Sequence, residues 1–310
     1  MQEKKNKRLL ILLLLLIGAT GTAFWLTARE DRTQTDKHLF KNFDLKTISQ
    51  ITLQKEGDTV NLVYTGARWM VNEKFPADPA MIEVLFATLQ QAEPKRPLAA
   101  TQTDSIGGLL RQKAVKVTLI SNGSAVSSFF AGGNNAKNQA YFMQEGESTP
   151  YLMNIPGYRV YVSGIFELDE SGWREKRVFA FNWRNFRQLD ATFPGSKADD
   201  FTVSMENQYF TIPGLHVVDT TRLNNFLDDV SLLTADEFVP NTRHLDSLSK
   251  TIPILTVLVK DIAGREYTWS IFPPAGEEAP FPALITGGQW AYFHPNKVEG
   301  LVRPRGFFGK

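Results

Sequence analysis

The chain has 310 residues, with 34 Lys and Arg against 33 Asp and Glu, and it contains no cysteine. That composition excludes disulfides, thiolate catalysis, cysteine-held zinc and a lipid-modified N-terminal cysteine. Beyond residue 30 the count is 29 basic against 31 acidic residues, a balance that offers nucleic acid no electrostatic footing; a body of roughly 280 residues also exceeds what one core usually organises, so two units are expected.

At the start, Lys4, Lys5, Lys7 and Arg8 precede an apolar run from Leu9 to Ile17, which continues more weakly through Phe24, Trp25 and Leu26. No charge falls between Leu9 and Thr27. A membrane-crossing helix needs roughly 20 residues to span about 30 Å of hydrocarbon, and Leu9–Thr27 just reaches that length. Basic residues before the run, with Glu30 and Asp31 after it, orient a single-pass inner-membrane anchor with a cytoplasmic N-terminus and a periplasmic body. A cleaved signal peptide also fits the small residues Gly18, Ala19, Gly21 and Ala23. Trp25, placed as an interfacial aromatic, favours the uncleaved anchor. Both readings export the body.

The body carries an internal duplication visible in spacing rather than identity. In the first copy an alternating strand around Ile51 and Leu53 turns at Gly57 into Val60–Tyr64, and Gly66 leads into Arg68-Trp69-Met70-Val71. Asp78 then caps a helix starting at Pro79, with the stripe Met81, Val84, Leu85 and Leu89. In the second copy Phe201–Met205 and Tyr209–Ile212 precede Asp219, which caps a helix with the stripe Leu223, Phe226, Leu227 and Val230. Trp69 to Asp78 is nine residues, and so is Phe210 to Asp219. Strands follow at Val115–Ile120 and Ile254–Val259, each entering a hairpin, the first through the type I′ signal Asn122-Gly123. Further strands are expected at Ala140–Met143, Pro150–Met153, Ala283–Thr286 and Trp290–Phe293. The fold class is therefore α+β: an N-terminal transmembrane helix, then two similar units, each a mainly antiparallel sheet with one helix on a face. The expected divisions are 1–30 for the anchor, 31–180 for the first unit and 181–310 for the second, with a helical segment at Ser163–Lys176 joining the halves.

Arg68-Trp69 followed by Asp78-Pro79 and a helix, the segment Ser105-Ile106-Gly107-Gly108-Leu109, the stretch Ser171-Gly172-Trp173-Arg174-Glu175-Lys176 and then Val178-Phe179-Ala180-Phe181 resemble domain-of-unknown-function family 4340. The resemblance spans most of residues 45–300. It implies an N-terminal membrane segment and an accessory envelope role near ABC transporter components of the gliding-motility kind. It assigns no chemistry. The family's usual Gly-Leu-x-x-Pro loop is here Gly108-Leu109-Leu110-Arg111, without the proline.

Residue patterns for chemistry are sparse. His38, His216, His244 and His294 share no metal-ligand spacing. The pairs Asp199-Asp200, Asp228-Asp229 and Glu277-Glu278 point apart whether on a strand or a helix, so solvated surface explains them better than acid–base work. Gly132-Gly133 and Gly287-Gly288 lack the Lys-Ser/Thr or spaced glycines of a phosphate cradle and read as turns. No catalytic, cofactor or metal residue is assigned. The candidate partner-binding set is Trp173, Arg174, Trp183, Arg184 and Arg187, where aromatic and basic residues alternate. The competing reading has these aromatics packing between the two sheets while the basic stems reach water. Arg303–Lys310 is a second candidate contact segment, the alternative being a simply mobile terminus. The expected function is a non-enzymatic, membrane-tethered extracytoplasmic binding or scaffold protein, with the membrane and other envelope proteins, an ABC-type complex among them, as partners; the alternative is a glycan-binding module or an enzyme acting on envelope polymers.

Overall fold

The computed structural model describes residues 11, 13–22, 35–179, 181, 184–206 and 209–310. It divides into two compact units, one ending at Trp173 and the other beginning at Arg174. Val178, Phe179 and Phe181 pack in the second core, so the second unit starts upstream of residue 181. Residues 13–22 are helical, and among the described residues no helix is long and apolar enough to cross a membrane. The rest of the Leu9–Thr27 run, including Leu9, Leu10, Leu12 and Trp25, lies outside the described residues.

The first unit is a nine-stranded antiparallel sheet in the order β4-β3-β2-β1-β6-β7-β8-β9-β5. Its elements are β1 (Ile48–Lys55), β2 (Asp58–Tyr64), β3 (Trp69–Val71), β4 (Phe75–Pro76), α1 (Pro79–Gln91), β5 (Glu93–Pro97) and α2 (Ala100–Lys113). Then come β6 (Val115–Ser121), β7 (Ser124–Gly133), β8 (Ala140–Gln144), β9 (Tyr151–Asn154), a 3-10 turn at Val162–Glu167 and the short α3 (Glu170–Trp173). Asn122 and Gly123 take φ of 51° and 77°, the type I′ geometry whose twist matches the flanking strands β6 and β7. Alternation then sends Ile51, Leu53, Val117, Leu119, Phe129 and Phe142 to one face, where Leu85 and Leu89 of α1, Phe166 and Trp173 complete the main core. The opposite face of β8 offers Tyr141 and Met143 to Leu110 of α2 in a smaller core.

Helix α1 begins as expected, with the Asp78 carboxylate accepting from the Ala80 N–H at 2.8 Å and Pro79 in the first turn. Its buried face is Ile82, Leu85, Thr88 and Leu89, while Val84, expected inside, is exposed. Several apolar residues here compete for the stripe, and the position of the sheet selects the face centred on Leu85. The Ser105–Leu109 segment, read as a loop, lies within α2; with glutamine instead of proline at position 112 the backbone N–H is kept and the helix runs on to Lys113. Each unit therefore carries helices on both sheet faces rather than one helix on one face.

The second unit is an eight-stranded antiparallel sheet in the order β12-β11-β10-β14-β15-β16-β17-β13. It is built from β10 (Phe186–Thr192), β11 (Phe201–Glu206), β12 (Tyr209–Thr211), α4 (Thr220–Ser231), β13 (Glu237–Val239), α5 (Arg243–Leu248), β14 (Leu255–Asp261), β15 (Glu266–Ile271), β16 (Phe281–Ile285), β17 (Gln289–Phe293), α6 (Pro295–Glu299) and a 3-10 turn at Arg305–Phe308. Leu223, Phe226, Leu227 and Val230 of α4 are all buried, as their spacing predicts. On the other face Leu245 of α5 packs with Phe272 and Trp290.

Apart from β4, the two sheets have the same strand order and the same placement of helices. Trp69 pairs with Tyr64 and Phe210 with Met205, so the expected Trp69–Phe210 correspondence holds in register. Pairing slips at the same place in each copy, between Ile48 and Gln50 against β6 and between Phe186 and Gln188 against β14. The Asp78 N–H donates to the Trp173 carbonyl at 2.8 Å, and the Asp219 N–H donates to the Phe308 carbonyl at 2.8 Å. Both aromatic rings are fully buried. Each copy thus ties the start of its long helix to the backbone of a buried aromatic near its own end. Where the first copy folds β4 back onto β3, the second pairs Val218 with Gly309, and the Lys310 N–H donates to the Val217 carbonyl at 3.2 Å. The Arg303–Lys310 segment is accordingly part of the fold.

Candidate functional site

The expected partner-binding residues do not form one exposed strip. Trp173 has no exposed surface and belongs to the core of the first unit, so its ring packs there rather than being offered to a partner. Arg174 is buried in the second unit; its guanidinium stacks over the Phe238 ring at 4.1 Å and donates to Gln289 Oε1. The alternation misled because a guanidinium held by a ring and an amide can be buried despite its charge. Trp183 lies outside the described residues. Arg184 and Arg187 are exposed on the second unit.

A concave feature of the first unit sits where α2 runs into β6 and β7 ends. It is a cleft of about 300 Å³, at the small end of ligand-sized pockets. Its floor is Gly132-Gly133, which end β7 rather than forming the turn expected of them. A Cβ on Gly133 would lie 2.4 Å from the Gln139 carbonyl oxygen and 2.4 Å from Tyr161 Cε2, and one on Gly132 would lie 2.8 Å from Ala114 Cβ. These glycines are required for close approach. The buried Ser163 hydroxyl donates to the Gly132 carbonyl at 2.6 Å and pins the segment that carries Tyr161 and Glu167.

Three side chains converge on the wall. The Tyr161 hydroxyl donates to Glu167 Oε1 at 2.5 Å, and Lys137 Nζ lies 2.9 Å from Glu167 Oε2. Burial, reinforced by the Glu167 carboxylate, pushes the Tyr161 phenol well above its ordinary pKa, so it stays a neutral donor. Asn134 shapes the rim, its side-chain oxygen accepting from the Asn138 and Gln139 N–H groups at 3.1 and 3.2 Å. Lys55 and Lys113 also line the cleft, are exposed, and form no ion pair among the described residues. Three ammonium groups against one carboxylate leave positive charge facing the opening, which suits an anionic group. Among the described residues no group of three His, Asp or Glu side chains could hold a metal ion.

A family model described as Domain of unknown function (DUF4340) matches residues 69–248. The chain belongs to that family. No curated protein and no solved structure matches it. The stretch matched to DUF4340 runs from β3 to α5 and includes Leu109, Lys113, Gly132, Gly133, Lys137, Tyr161 and Glu167 of the cleft. Sequence reasoning missed Lys137, Tyr161 and Glu167 because Lys137 is remote along the chain from the other two, and Tyr161 and Glu167, six residues apart across one 3-10 turn, match no motif. The available signal was the Gly-Gly pair closing a strand pattern, which marks a place where something packs against the backbone.

Proposed function

We propose that this DUF4340 chain is a non-enzymatic, membrane-tethered extracytoplasmic binding or scaffold module of the bacterial envelope, accessory to an ABC-type or gliding-type complex. The observation that carries the binding reading is the state of the cleft's polar groups. Glu167 is engaged by both Tyr161 and Lys137, and Tyr161 is held neutral. Groups locked on one another in this way favour holding a ligand over moving a proton at neutral pH. Lys55 and Lys113 remain to meet carboxylates on a partner. The tether rests on the charge-flanked Leu9–Thr27 run, and the envelope-complex assignment rests on the family resemblance.

Leu109 at the cleft and Val126 at the opposite end of β7 are comparably exposed, at 41 % and 43 %. A photo-crosslinking side chain placed at Leu109 in cells is expected to capture an envelope protein, and Lys113→Glu to abolish the adduct. Equal capture from Val126, or an adduct indifferent to Lys113→Glu, would remove the cleft from the reading. Intact-mass measurement of protein recovered from membranes tests the tether; a mature start near Phe24 would replace the anchor with a cleaved signal.

A further inference from the structure

A second cationic feature lies wholly within the second unit. The guanidinium carbons of Arg222 and Arg303 lie 5.2 and 4.9 Å from the centre of the Phe307 ring. Arg222 also donates to the Phe307 carbonyl at 3.0 Å, and Arg305 donates to the Pro213 carbonyl at 2.9 Å. Gly214, at φ +81°, leaves the room Arg305 occupies, since a Cβ there would lie 2.3 Å from the guanidinium. The Arg222 side chain is 52 % exposed, and Arg303, Arg305 and Phe307 are half-buried. Asp219 is the one carboxylate paired with the group among the described residues, at 3.7 Å from Arg222. An arginine has five donors; one hydrogen bond is used by Arg222 and one by Arg305, and the Arg303 side chain makes none among the described residues.

The duplication separates this cluster from the needs of the fold. In the first copy the same corner closes with Met81 at the position of Arg222 and Gly172 at that of Phe307, counting from the capping aspartates and the buried aromatics. There Glu170 takes the place of Arg305, accepting from the Asn72 side chain at 2.7 Å, and Asn72 is the counterpart of Pro213. A corner that closes without any arginine in one copy carries three in the other. The charge is therefore an addition to the fold rather than a condition of it.

We propose that Arg222, Arg303 and Arg305, grouped around Phe307, form a docking face for an acidic protein segment. Phosphate recognition at such a place would draw on the N-terminal N–H groups of α4. Those of Thr221 and Arg222 are already taken by the Asp219 carboxylate, whose charge also repels a compact dianion. What remains is a set of guanidinium forks spread around a ring, which matches carboxylates distributed along a chain and an apolar side chain between them. This proposal is independent of the cleft, which belongs to the other unit.

The test is fluorescence anisotropy of a labelled peptide alternating Glu and Ser against the purified chain. Binding is expected to weaken as salt is raised. It should drop about tenfold in Arg222→Gln/Arg303→Gln, the scale of two solvent-screened contacts. It should stay unchanged in Arg243→Gln, an exposed cation of the same unit on α5. Near-UV circular dichroism checks folding of the double variant, and Arg303→Gln alone, which removes no internal hydrogen bond, serves if the double variant is perturbed. The proposal is overturned if the Glu/Ser peptide does not bind or a Lys/Ser peptide binds equally, or if the arginine variants bind like wild type. Arginine-dependent binding to phosphatidylglycerol vesicles without binding to the peptide would likewise replace it with a lipid surface.

Discussion

Replacing Trp173 tests whether this residue closes the first core. The side chain is fully buried, and its indole N–H has no hydrogen-bond partner among the described residues. A tryptophan buries up to about 250 Å², which at about 25 cal/mol per Å² is an upper bound near 6 kcal/mol. Alanine retains part of that area and the unfolded chain is already partly compact, so Trp173→Ala is expected to cost about 3–5 kcal/mol. Trp173→Phe should cost less than about 2 kcal/mol, because the lost area is offset by removing a buried N–H whose desolvation costs about 1–3 kcal/mol. Phe308, at the same place in the second copy, already uses a phenyl ring there. Urea unfolding gives the totals, and hydrogen exchange gives the location: amides of β6, β7 and β8 should lose protection while those of β14 and β15 keep theirs. Unchanged stability in Trp173→Ala, or equal loss of protection in β14 and β15, would refute the assignment of Trp173 to the first core.

Gly133→Ala drives a Cβ into backbone and a half-buried ring, and an overpacking cost of about 1–3 kcal/mol is expected. Gly108→Ala, in mid-helix α2 with nothing within 4 Å of the new carbon, should instead stabilise by about 0.5–1 kcal/mol; a urea midpoint that moves the same way in both would contradict the contrast. Asp219 is held below the ordinary carboxylate range chiefly by the Arg222 backbone N–H. Burial pushes Asp261 up, but the Arg265 N–H and guanidinium outweigh it and the net shift is downward. Folded pKa values below the unfolded value of about 3.9 mean that this stabilisation is present above that pH and is lost as pH falls through the folded values. Carboxyl carbon NMR titration should place both midpoints below that of an unperturbed aspartate, and a midpoint at or above it for either residue would contradict its hydrogen bonding.

Local physics was legible in the sequence. Asp78 and Asp219 announce helices because a carboxylate just before a helix satisfies first-turn N–H groups that have no helical carbonyl four residues earlier. Asn122-Gly123 announces its hairpin because both residues tolerate positive φ, and nine-residue spacing exposed the duplication because strand, turn and helix lengths persist when side chains change. Tertiary structure decided what depends on which surface arrives opposite. It buried Ile82 and left Val84 in solvent, since α1 has more apolar residues than one face can use. It turned Ser105–Leu109 into part of a helix whose Leu110 had Tyr141 and Met143 waiting on the sheet. It drew Trp173 into the first core and stacked Arg174 on Phe238, although the two are adjacent in the chain. It also brought Lys137 to the Tyr161–Glu167 pair at one cleft, and Arg222 to Phe307 across 85 residues. Such groups carry no spacing signal, because side chains that meet only through sheet order and helix packing are constrained in space and not along the sequence.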